Sequence, residues 1–294
     1  MIINKMSSGI SVLILTKDEQ EDLPGCLESV SWSDDIHVLD SGSTDMTCDI
    51  ARSCGANVVK KEYPDSARLF GGDEAAHRNW SLRHVPFRYP WVLLLDADER
   101  VTAALIVSIT AAIVAPGEHV AFRVRRRDIF MGRWLKHVQT TPFYLRLFRP
   151  ERMHYERLIN PVSVPDGSVG SISGYLDHFP FNKGISHWLE RHNAYSTLEA
   201  MQIVANRRAH TTFSVRKAFT VADFHERRFH QKELFYRMPL RPVLKFLMFY
   251  VGKRGFLDGR AGLTYVLLQA IYEYIIVLKV RELDKKITAT DGHA

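Results

Sequence analysis

The amino-acid sequence predicts an α/β fold with a mostly parallel sheet, followed by an apolar helical extension. Over roughly the first hundred residues, short apolar runs alternate with amphipathic stretches. The runs are continuously apolar, which is typical of parallel strands covered by helices on both faces. From Pro239 onward, two apolar helical runs are separated by a charged, glycine-containing segment.

The composition is that of a folded protein that needs no disulfide framework. The chain has 294 residues, 46% hydrophobic and 24% charged, which is enough to bury a large core. The three cysteines, Cys26, Cys48 and Cys54, lack metal-site spacing, so we expect a reducing compartment. The segment Met1–Gly9 is too short and too polar for a secretory signal. The net charge of +6, concentrated late in the chain, favours a polyanionic partner such as nucleic acid, nucleotide phosphate or anionic membrane.

Four strands and three helices are expected in the first hundred residues. The strands are Ile10–Leu15, Ile36–Leu39, Asn57–Val59 and Trp91–Leu95, and the helices are Asp22–Val30, Thr44–Ser53 and Glu74–Leu82. Ser43 or Thr44 is the expected N-cap of the second helix, and a fourth helix should begin near Val101. Because ligands of such sheets bind at the carboxyl ends of strands, functional side chains should follow the strands directly.

The remainder of the chain is mixed and then helical. Short strands are expected at 121–124 and 144–148, and Gly167 and Gly170 mark turns near a further strand. After His178 the pattern becomes helical, with an amphipathic stretch over His187–Val204. We therefore divide the chain into an α/β domain (1–180), an amphipathic helical segment (181–238), apolar helices (239–287) and a flexible tail (288–294).

The strongest chemical signal is the pair Asp96 and Asp98, directly after the fourth strand. Two carboxylates at a strand end offer the hard oxygen ligands that suit Mg²⁺ or Mn²⁺, which also bind diphosphate oxygens. Such a metal neutralises charge on a departing diphosphate. The alternative is a solvated acidic turn that caps the helix expected near Val101, because this short pattern is common by chance.

Polar residues also follow the first two strands. Asp40 ends the second strand, where an acid can accept a hydrogen bond from a base N–H or a ribose hydroxyl. Gly42 permits a tight turn, and the helix start beyond it favours negative charge. A well-capped helix start explains Ser43 and the residues after it, but not Asp40. The segment Thr16–Glu19 adds polar groups at the same edge of the sheet.

The sequence resembles glycosyltransferase family 2, and most closely the branch that includes lipopolysaccharide core β-glucosyltransferases. The segments that carry the resemblance are Leu13–Glu19, Leu27–Val30, Asp40–Asp45, His77–Trp80, Asp96–Glu99, Phe130–Trp134, Arg146–Phe148, Arg191–Ser196 and Gly255–Arg260. They extend over nearly the whole chain. The resemblance implies a GT-A fold, an inverting transfer and a nucleotide-diphospho-sugar donor, with UDP preferred at the level of the family.

The resemblance also implies roles for individual residues. The expected donor-binding residues are Thr16, Glu19, Asp40, Ser43, Arg78, Asp96 and Arg146, and the expected metal ligands are Asp98 and Asp96. Thr16, Glu19 and Asp40 would contact the nucleoside, while Arg78 would lie near the base or the phosphates. Arg146 would bind the diphosphate or would be a structural arginine, and both interpretations stay open.

An inverting transfer requires a carboxylate that takes the proton of the acceptor hydroxyl. Relatives carry a His-Glu pair after the Arg-Leu-Phe strand, whereas the matching stretch here reads His154, Tyr155, Glu156. We expect Glu156 to be the base and Asp128 to be the second candidate. His178 would contact phosphate or acceptor, or would only be hydrogen-bonded in place.

Other prominent side chains have a structural interpretation. The segment Arg125–Arg127 is expected to be a solvated face. Trp91, Trp134 and Trp188 are expected in the core rather than as platforms for sugar rings.

The apolar end of the chain favours a location at a membrane surface. The run Gly262–Val280 is nearly long enough to span a bilayer, but Gln269 and Glu273 interrupt it. Basic residues before it suit anionic cytoplasmic lipids, so we expect helices that lie in the membrane interface. By analogy with envelope glycan assembly, this surface would be the inner face of a bacterial inner membrane. A packed helical subdomain or a dimer contact is the alternative, and a true span is expected least.

The sequence therefore predicts a metal-dependent hexosyltransferase that moves a sugar from a UDP-sugar to a lipid-linked, lipopolysaccharide or exopolysaccharide acceptor. A catalytically inactive, membrane-bound scaffold that binds nucleotide-sugars is the alternative. A nucleotidyltransferase is disfavoured because Thr16–Glu19 is acidic and lacks a glycine-rich phosphate loop. The acidic residues at the strand ends argue against a nucleic-acid partner. The oligomeric state is not predicted.

Overall fold

A computed structural model describes residues 9–63, 73–139, 141–156, 161–209 and 212–291. The chain divides into two compact units. The first comprises Met1–Trp134 and Thr141–Lys183, and the second comprises Leu135–Thr140 and Gly184–Ala294. The boundary after Lys183 lies close to the one expected at residue 180. The segments 181–238 and 239–287, which were expected to be separate, belong to one unit.

The first unit contains eleven strands and four helices among the described residues. The strands are β1 Ile10–Thr16, β2 Ile36–Asp40, β3 Asn57–Lys60, β4 Trp91–Asp96, β5 Glu99–Val101, β6 His119–Phe130, β7 Arg133–Trp134, β8 Phe143–Phe148, β9 Met153–Glu156, β10 Val162–Pro165 and β11 Ser168–His178. The helices are α1 Leu23–Ser29, α2 Thr47–Ser53, α3 Glu74–His84 and α4 Ala103–Val114. The strands and helices expected in the first hundred residues are confirmed, apart from the start of α2.

The main sheet is mixed, with the order β3-β2-β1-β4-β8-β6-β11-β5. Strands β3, β2, β1 and β4 are parallel neighbours, as are β6 and β11. Strand β8 is antiparallel to β4 and β6 and joins the two parallel parts. The register pairs Thr16 with Asp40 and Leu15 with Asp96, so the carboxyl ends of β1, β2 and β4 meet at one edge.

The core lies on both faces of the parallel strands, which is why their sequences are continuously apolar. Every residue of β1 is buried. Successive side chains point to opposite faces, so Ile14 packs in one apolar cluster and Leu13 in the other. Burial of each such side chain contributes roughly 1.5–3 kcal/mol to stability. The edge that carries the polar residues is thus held on a rigid support.

Helix α2 begins later than the sequence indicated. Its N-cap is Met46 and its first residue is Thr47, so the expectation of Ser43 or Thr44 at the N-cap was wrong. Ser43 and Thr44 instead form hydrogen bonds with the strand end and with the neighbouring loop. The backbone N–H of Thr47 donates to Asp45 Oδ1 at 3.0 Å. These side-chain contacts compete with helix formation, so the loop continues for about one helical turn beyond the expected helix start.

The region after Asp98 also differs from expectation. A short strand, β5, precedes the helix expected near Val101, and it pairs with the end of β11. Helix α4 begins at Ala103, after Thr102, whose Oγ1 accepts from Leu105 N at 3.3 Å. The start of α4 is displaced by the pairing of β5 with the distant strand β11, and no local pattern in the sequence indicates this pairing.

The second unit is helical. Its helices are α5 Gly184–Arg208, α6 Lys217–Thr220, α7 Phe224–Arg237, α8 Arg241–Leu247 and α9 Gly259–Asp291. A π-helical stretch, Met248–Gly252, and a 3₁₀ turn, Gly255–Asp258, separate α8 from α9. The carboxylate of Asp258 accepts from Val138 N at 2.9 Å and lies 2.7 Å from His137 Nδ1. These contacts place the segment 135–139 in this unit.

Helix α9 continues further than expected. It extends to Asp291, so the first part of the tail expected from Thr288 is helical; residues 292–294 lie outside the described residues. By length and composition, the segment Gly255–Ile287 could cross a membrane, and about a third of its most apolar window is buried. Within the chain, Glu273 of this segment is buried and pairs with Arg241 of α8 at 3.0 Å.

A buried histidine makes the stability of the first unit depend on pH. His77 is fully buried, with Nδ1 2.7 Å from Tyr63 Oη, and burial lowers its pKa from 6.5 to about 3. Below pH 6.5 the unfolded chain binds a proton that the folded chain excludes, so this group destabilises the fold as the pH falls. Between pH 7 and pH 5 we expect it to lower the free energy of unfolding by about 2 kcal/mol.

Urea unfolding of His77→Gln across this pH range measures the effect. The variant should show a shallower loss of stability than the parent, whereas His84→Gln, an exposed position on the same helix, should not. Equal pH dependence in all three proteins would contradict the assignment.

Candidate active site

Side-chain hydrogen bonds join the loops that follow β1 and β2. Ser43 Oγ accepts from Asp18 N at 2.8 Å, and Thr44 N donates to Asp18 Oδ1 at 2.7 Å. Next along the chain, Glu19 N donates to Thr47 Oγ1 at 2.8 Å. Asp18 has φ = 52°, a left-handed backbone that costs energy for most residues other than glycine. The cross-loop bonds stabilise this conformation and fix the shape of the edge.

Asp40 is the centre of this arrangement. It is fully buried, and its Oδ2 accepts from Gly42 N at 3.1 Å and Ser43 N at 3.0 Å. Its Oδ1 accepts from Ser43 Oγ and, at 3.3 Å, from Thr16 Oγ1. Four internal hydrogen bonds use both carboxylate oxygens. The geometry thus gives Asp40 a positioning role, and its contact with a nucleoside stays a prediction.

Glu19 faces a lysine that the sequence did not single out. Lys183 Nζ lies 2.8 Å from Glu19 Oε1 and donates to Asp18 O at 2.8 Å. Burial raises the pKa of Glu19 to about 7, although Lys183 acts in the opposite direction. Lys183 follows the last strand far along the chain, so no local signal connects it with this loop.

A buried arginine connects the two acids at the end of β4. Arg146 Nη2, on β8, lies 2.7 Å from Asp96 Oδ2 and 2.5 Å from Glu99 Oε1. Glu99 is fully buried, and its Oε2 accepts from Asp96 N at 3.0 Å. On the other side of Asp96, Arg78 Nη2 lies 3.6 Å from Oδ1. Burial raises the pKa of Asp96, but Arg146 and Arg78 lower it, and the result is a pKa below the usual value.

The second acid of the pair, Asp98, belongs to a chain of charged groups. His178 Nε2 lies 3.1 Å from Asp98 Oδ2, and His178 Nδ1 lies 2.6 Å from Asp128 Oδ1. The contact with Asp128 follows from the sheet, because His178 and Asp128 are register partners on β11 and β6. Burial lowers the pKa of His178, but the two carboxylates raise it to about 9. Without a metal the ring is therefore an imidazolium between two acids.

The residues around Asp98 fit a divalent cation. A carboxylate and an imidazole with adjacent donor atoms suit Mg²⁺ or, better, Mn²⁺. Histidines that bind metals usually donate the other ring N–H to a carboxylate, which is the arrangement of His178 with Asp128. The described parts of the chain contain no group of three or more acidic, histidine or cysteine side chains placed to hold a metal. Further ligands would have to come from water or substrate. Asp96 contributes less readily, because both of its oxygens face arginines.

Glu156 ends β9, one residue beyond Tyr155. Its neighbour Tyr155 is buried against Arg78, whose guanidinium lies 5.6 Å from the ring centroid. Asn79 exchanges two hydrogen bonds of 2.8 Å with the backbone of Tyr155, which fixes β9 on α3. The side chain of Glu156 is 62% exposed and lies 3.2 Å from His154 Nε2. Glu156 is therefore an accessible carboxylate, whereas Asp128 is buried and ion-paired.

The three consecutive arginines of β6 are not a solvated face, so that expectation was wrong. Only Arg125 is exposed. Arg126 lies on the same face of the strand as Asp128, with Nε 3.3 Å from Oδ1, and 4.0 Å from Glu99. Arg127 pairs with its cross-strand neighbour Asp177. Alternation along the strand and a facing acid on β11 explain both contacts.

The tryptophan expectations agree with the structure at two positions. Trp91 and Trp188 are buried, against Phe122 and His192 respectively. Trp134 is half-buried, with its ring centroid 5.1 Å from that of Tyr175.

The helix-flanked mixed sheet, with acidic residues at the carboxyl ends of its parallel strands, is the GT-A fold. The chain belongs to glycosyltransferase family 2, since residues 11–179, more than half of its length, match Glycosyl transferase family 2.

Similar proteins are found among bacterial glycosyltransferases. The lipopolysaccharide core biosynthesis glycosyltransferase LpsC of Rhizobium meliloti (strain 1021) is 27% identical over 278 residues, which cover 90% of this chain and 92% of LpsC. An uncharacterized glycosyltransferase of Rickettsia typhi is 21% identical over 302 residues, covering 97% of this chain and 91% of the relative.

Solved structures of glucosyl-3-phosphoglycerate synthase from Mycobacterium tuberculosis are also similar. The complex with Mn²⁺, UDP-glucose and phosphoglyceric acid is 22% identical, with a TM-score of 0.34. The similarity covers 40% of this chain and 44% of that one, so the chain spans less than half of the synthase. A likeness at this level gives no information about the site.

The buried arginine between Asp96 and Glu99 supplies a test of stability. In Arg146→Met, Glu99 keeps its burial and loses its closest cation, so we expect the free energy of unfolding to fall by about 3–5 kcal/mol. Adding Glu99→Gln to Arg146→Met should restore part of the loss. Urea unfolding of the single and double variants measures both effects.

The exposed pair of Arg152 with Asp166 provides the control. Arg152→Met should lower the free energy of unfolding by no more than about 1 kcal/mol, because exposed ion pairs contribute little to stability. An Arg146→Met variant as stable as Arg152→Met would contradict the role assigned to Arg146.

Proposed function

We propose that this protein is an inverting glycosyltransferase that moves a hexose from a UDP-sugar to a lipid-linked or lipopolysaccharide acceptor. The observation that carries the proposal is the arrangement of Asp98, His178 and Asp128 at the carboxyl edge of the sheet. This arrangement supports a metal site near the loops after β1 and β2, and the chain belongs to family 2.

The donor would be held by the metal and by the joined loops. Asp98 and His178 would hold Mg²⁺ or Mn²⁺, and Asp128 would orient the imidazole. When bound, the cation supplies the positive charge that stabilises the leaving diphosphate. Arg78 lies at 3.6 Å from Asp96, beyond hydrogen-bond distance, so its guanidinium is able to turn toward the phosphates. Arg146 positions Asp96 and Glu99 and does not contact the donor itself.

The nucleoside would lie against the loops after β1 and β2. We assign Thr16, Asp40 and Ser43 to the support of the backbone there, because their polar atoms are hydrogen-bonded to one another. Glu19 is the candidate for direct contact. It is partly exposed, and its carboxyl group can hydrogen-bond a polar group of the nucleoside.

The catalytic base is assigned to Glu156. The acceptor oxygen attacks the anomeric carbon from the face opposite the diphosphate and transfers its proton to the carboxylate, while the bond to the diphosphate breaks. Glu156 is exposed and adjoins Tyr155, which packs on Arg78 of the donor site. Asp128, the second candidate, is buried, and its Oδ1 lies next to both His178 and Arg126, so an acceptor hydroxyl has less access to it than to Glu156.

The acceptor class is supported by the relative and by the second unit. LpsC carries the name of a lipopolysaccharide core biosynthesis enzyme and aligns over nearly the whole chain. In the second unit, α9 exposes apolar side chains spaced three or four residues apart, which form one face of the helix. They are Leu263, Leu267, Ile271, Tyr274 and Leu278.

We therefore propose that α8 and α9 attach the protein to the anionic cytoplasmic face of a bacterial inner membrane. Apolar residues of α8 and the following turn, such as Val243 and Val251, are also exposed. Arg254 and Arg260 add exposed positive charge next to these faces. Co-sedimentation with phosphatidylglycerol vesicles, and not with phosphatidylcholine vesicles, is the expected result. Equal recovery with both would leave no role for anionic lipid.

The donor site is tested by calorimetric titration of UDP with and without Mn²⁺. We expect binding that depends on the metal and is lost in Asp98→Ala. Asp128→Asn should weaken the metal-dependent affinity about 10–100-fold, because it removes the group that orients His178. The control is Asp166→Asn, an exposed turn residue that should bind like the parent. Failure of UDP and GDP to bind, with or without Mn²⁺, would contradict the proposed donor class.

The base is tested by transfer of labelled sugar from UDP-sugars to a lipid extract of the source membrane. We expect Glu156→Gln to slow transfer by about 10²-fold or more while leaving UDP affinity unchanged. Glu151→Gln, an exposed position just before β9, is the matched control. If Glu156→Gln transferred at the parent rate, the base would have to be sought elsewhere, beginning with Asp128.

A further inference from the structure

The second unit contains a cavity of about 530 Å³ that no step of the proposed reaction uses. It lies between the end of α5, the α7–α8 turn and α9. Its volume is within the range of small-molecule binding sites, roughly 300–1,000 Å³. Two chemically different sets of side chains line it, one cationic and one apolar.

Four arginines line the cavity: Arg207, Arg237, Arg241 and Arg281. The one acidic lining residue, Asp284, lies 3.3 Å from Arg207 Nη1. Glu233 and Glu273, which do not line the cavity, pair with Arg237 at 3.8 Å and with Arg241 at 3.0 Å. Lys245 also faces Glu273, at 3.9 Å. The lining itself carries four arginines and one aspartate, so positive charge is in excess at this cavity.

The donors of Arg241 are the most informative. The side chain is 4% exposed, and Nη2 lies 3.0 Å from Glu273 Oε1. Nη1 donates to Tyr236 O at 3.3 Å, whereas Nε has no hydrogen-bond partner among the described residues. A buried guanidinium with a free Nε donor in an arginine-lined cavity favours a ligand that brings several acceptor oxygens. Phosphate is such a ligand.

Most of the other lining side chains are apolar, and several of them are exposed to solvent. Leu240 and Val243, at the start of α8, are 73% and 52% exposed, and Tyr274 of α9 is 51% exposed. Val277 and Val280 continue this wall along α9. Leu278, next to Val277, belongs to the exposed apolar face of the same helix. An apolar chain that leaves the cavity would thus pass onto a surface suited to a bilayer.

We infer that this cavity binds the phosphate group of an anionic amphiphile, with the arginines on the phosphate and the chain along the valine-lined wall. A phosphomonoester or diphosphate headgroup fits the cationic part better than a zwitterion does, because a second positive charge would be repelled. The use of this amphiphile as carrier of the acceptor rests on the proposed function, whereas the binding itself does not.

The experiment compares three soluble ligands by calorimetry: dihexanoyl phosphatidic acid, dihexanoyl phosphatidylcholine and inorganic phosphate. The phosphatidic acid should bind, phosphate should bind more weakly, and the choline lipid should not bind. Arg237→Gln and Arg281→Gln should each lower the affinity for phosphatidic acid about tenfold, which is the effect of losing one charge-assisted contact. Val243→Ser should lower the affinity for phosphatidic acid and leave the affinity for phosphate unchanged.

Matched controls lie on the same helices. Arg208→Gln and Lys285→Gln remove exposed positive charges from α5 and α9 at positions that do not line the cavity. Both should bind phosphatidic acid like the parent. UDP titration of each protein separates the two proposals: cavity variants should retain UDP binding, and Asp98→Ala should retain phosphatidic acid binding.

Two results would overturn the inference. Equal loss of affinity in the control and cavity variants would show general charge attraction instead of a site. Phosphate binding as tight as that of phosphatidic acid would show that the apolar wall takes no part, which contradicts an amphiphile. A loss of UDP binding alone, with lipid binding intact, would count against the donor assignment and leave the cavity site standing.

Discussion

The buried contact of Arg146 with Asp96 and Glu99 is the interaction on which the candidate site depends. Strands β4 and β8 bring one guanidinium against two carboxylates where little water can screen them. Removing Arg146 would leave two neighbouring carboxylates without their closest cation. The contact also fixes the turn that follows β4 and carries Asp98, because Glu99 accepts from Asp96 N as well as facing Arg146. Arg126 extends this network from Glu99 to Asp128.

The two units are stabilised by different interactions. In the first, apolar burial holds the strands, and charged groups at the strand ends compensate one another before any ligand binds. In the second, helices bury one side of α9 and leave another side apolar and exposed. Only the first arrangement is expected to be stable in water without a partner, because large exposed apolar faces usually mark an interaction surface. A soluble donor and a membrane-bound acceptor carrier suit this division of the chain.

The sequence predicted the parallel strands and the acidic strand ends because both are local patterns. Asp40, Asp96 and Asp98 follow apolar runs, and the sheet rule places such ends together. It did not predict the cations that pair with Glu19 and Asp128, since Lys183 lies far along the chain and Arg126 was expected to be solvated. The N-cap of α2 was missed because Ser43 bonds to Asp40 instead of to the helix. Such cross-loop contacts depend on the folded register and leave no periodic signal.

The most direct test of the account is the position of Mn²⁺ in crystals grown with UDP, located by its anomalous scattering. The account predicts a single manganese bound by Asp98 and His178 Nε2, with Asp128 still on His178 Nδ1 and Arg146 still between Asp96 and Glu99. A manganese bound by Asp96 with Arg146 displaced, or one remote from His178, would contradict the assignment of the metal site.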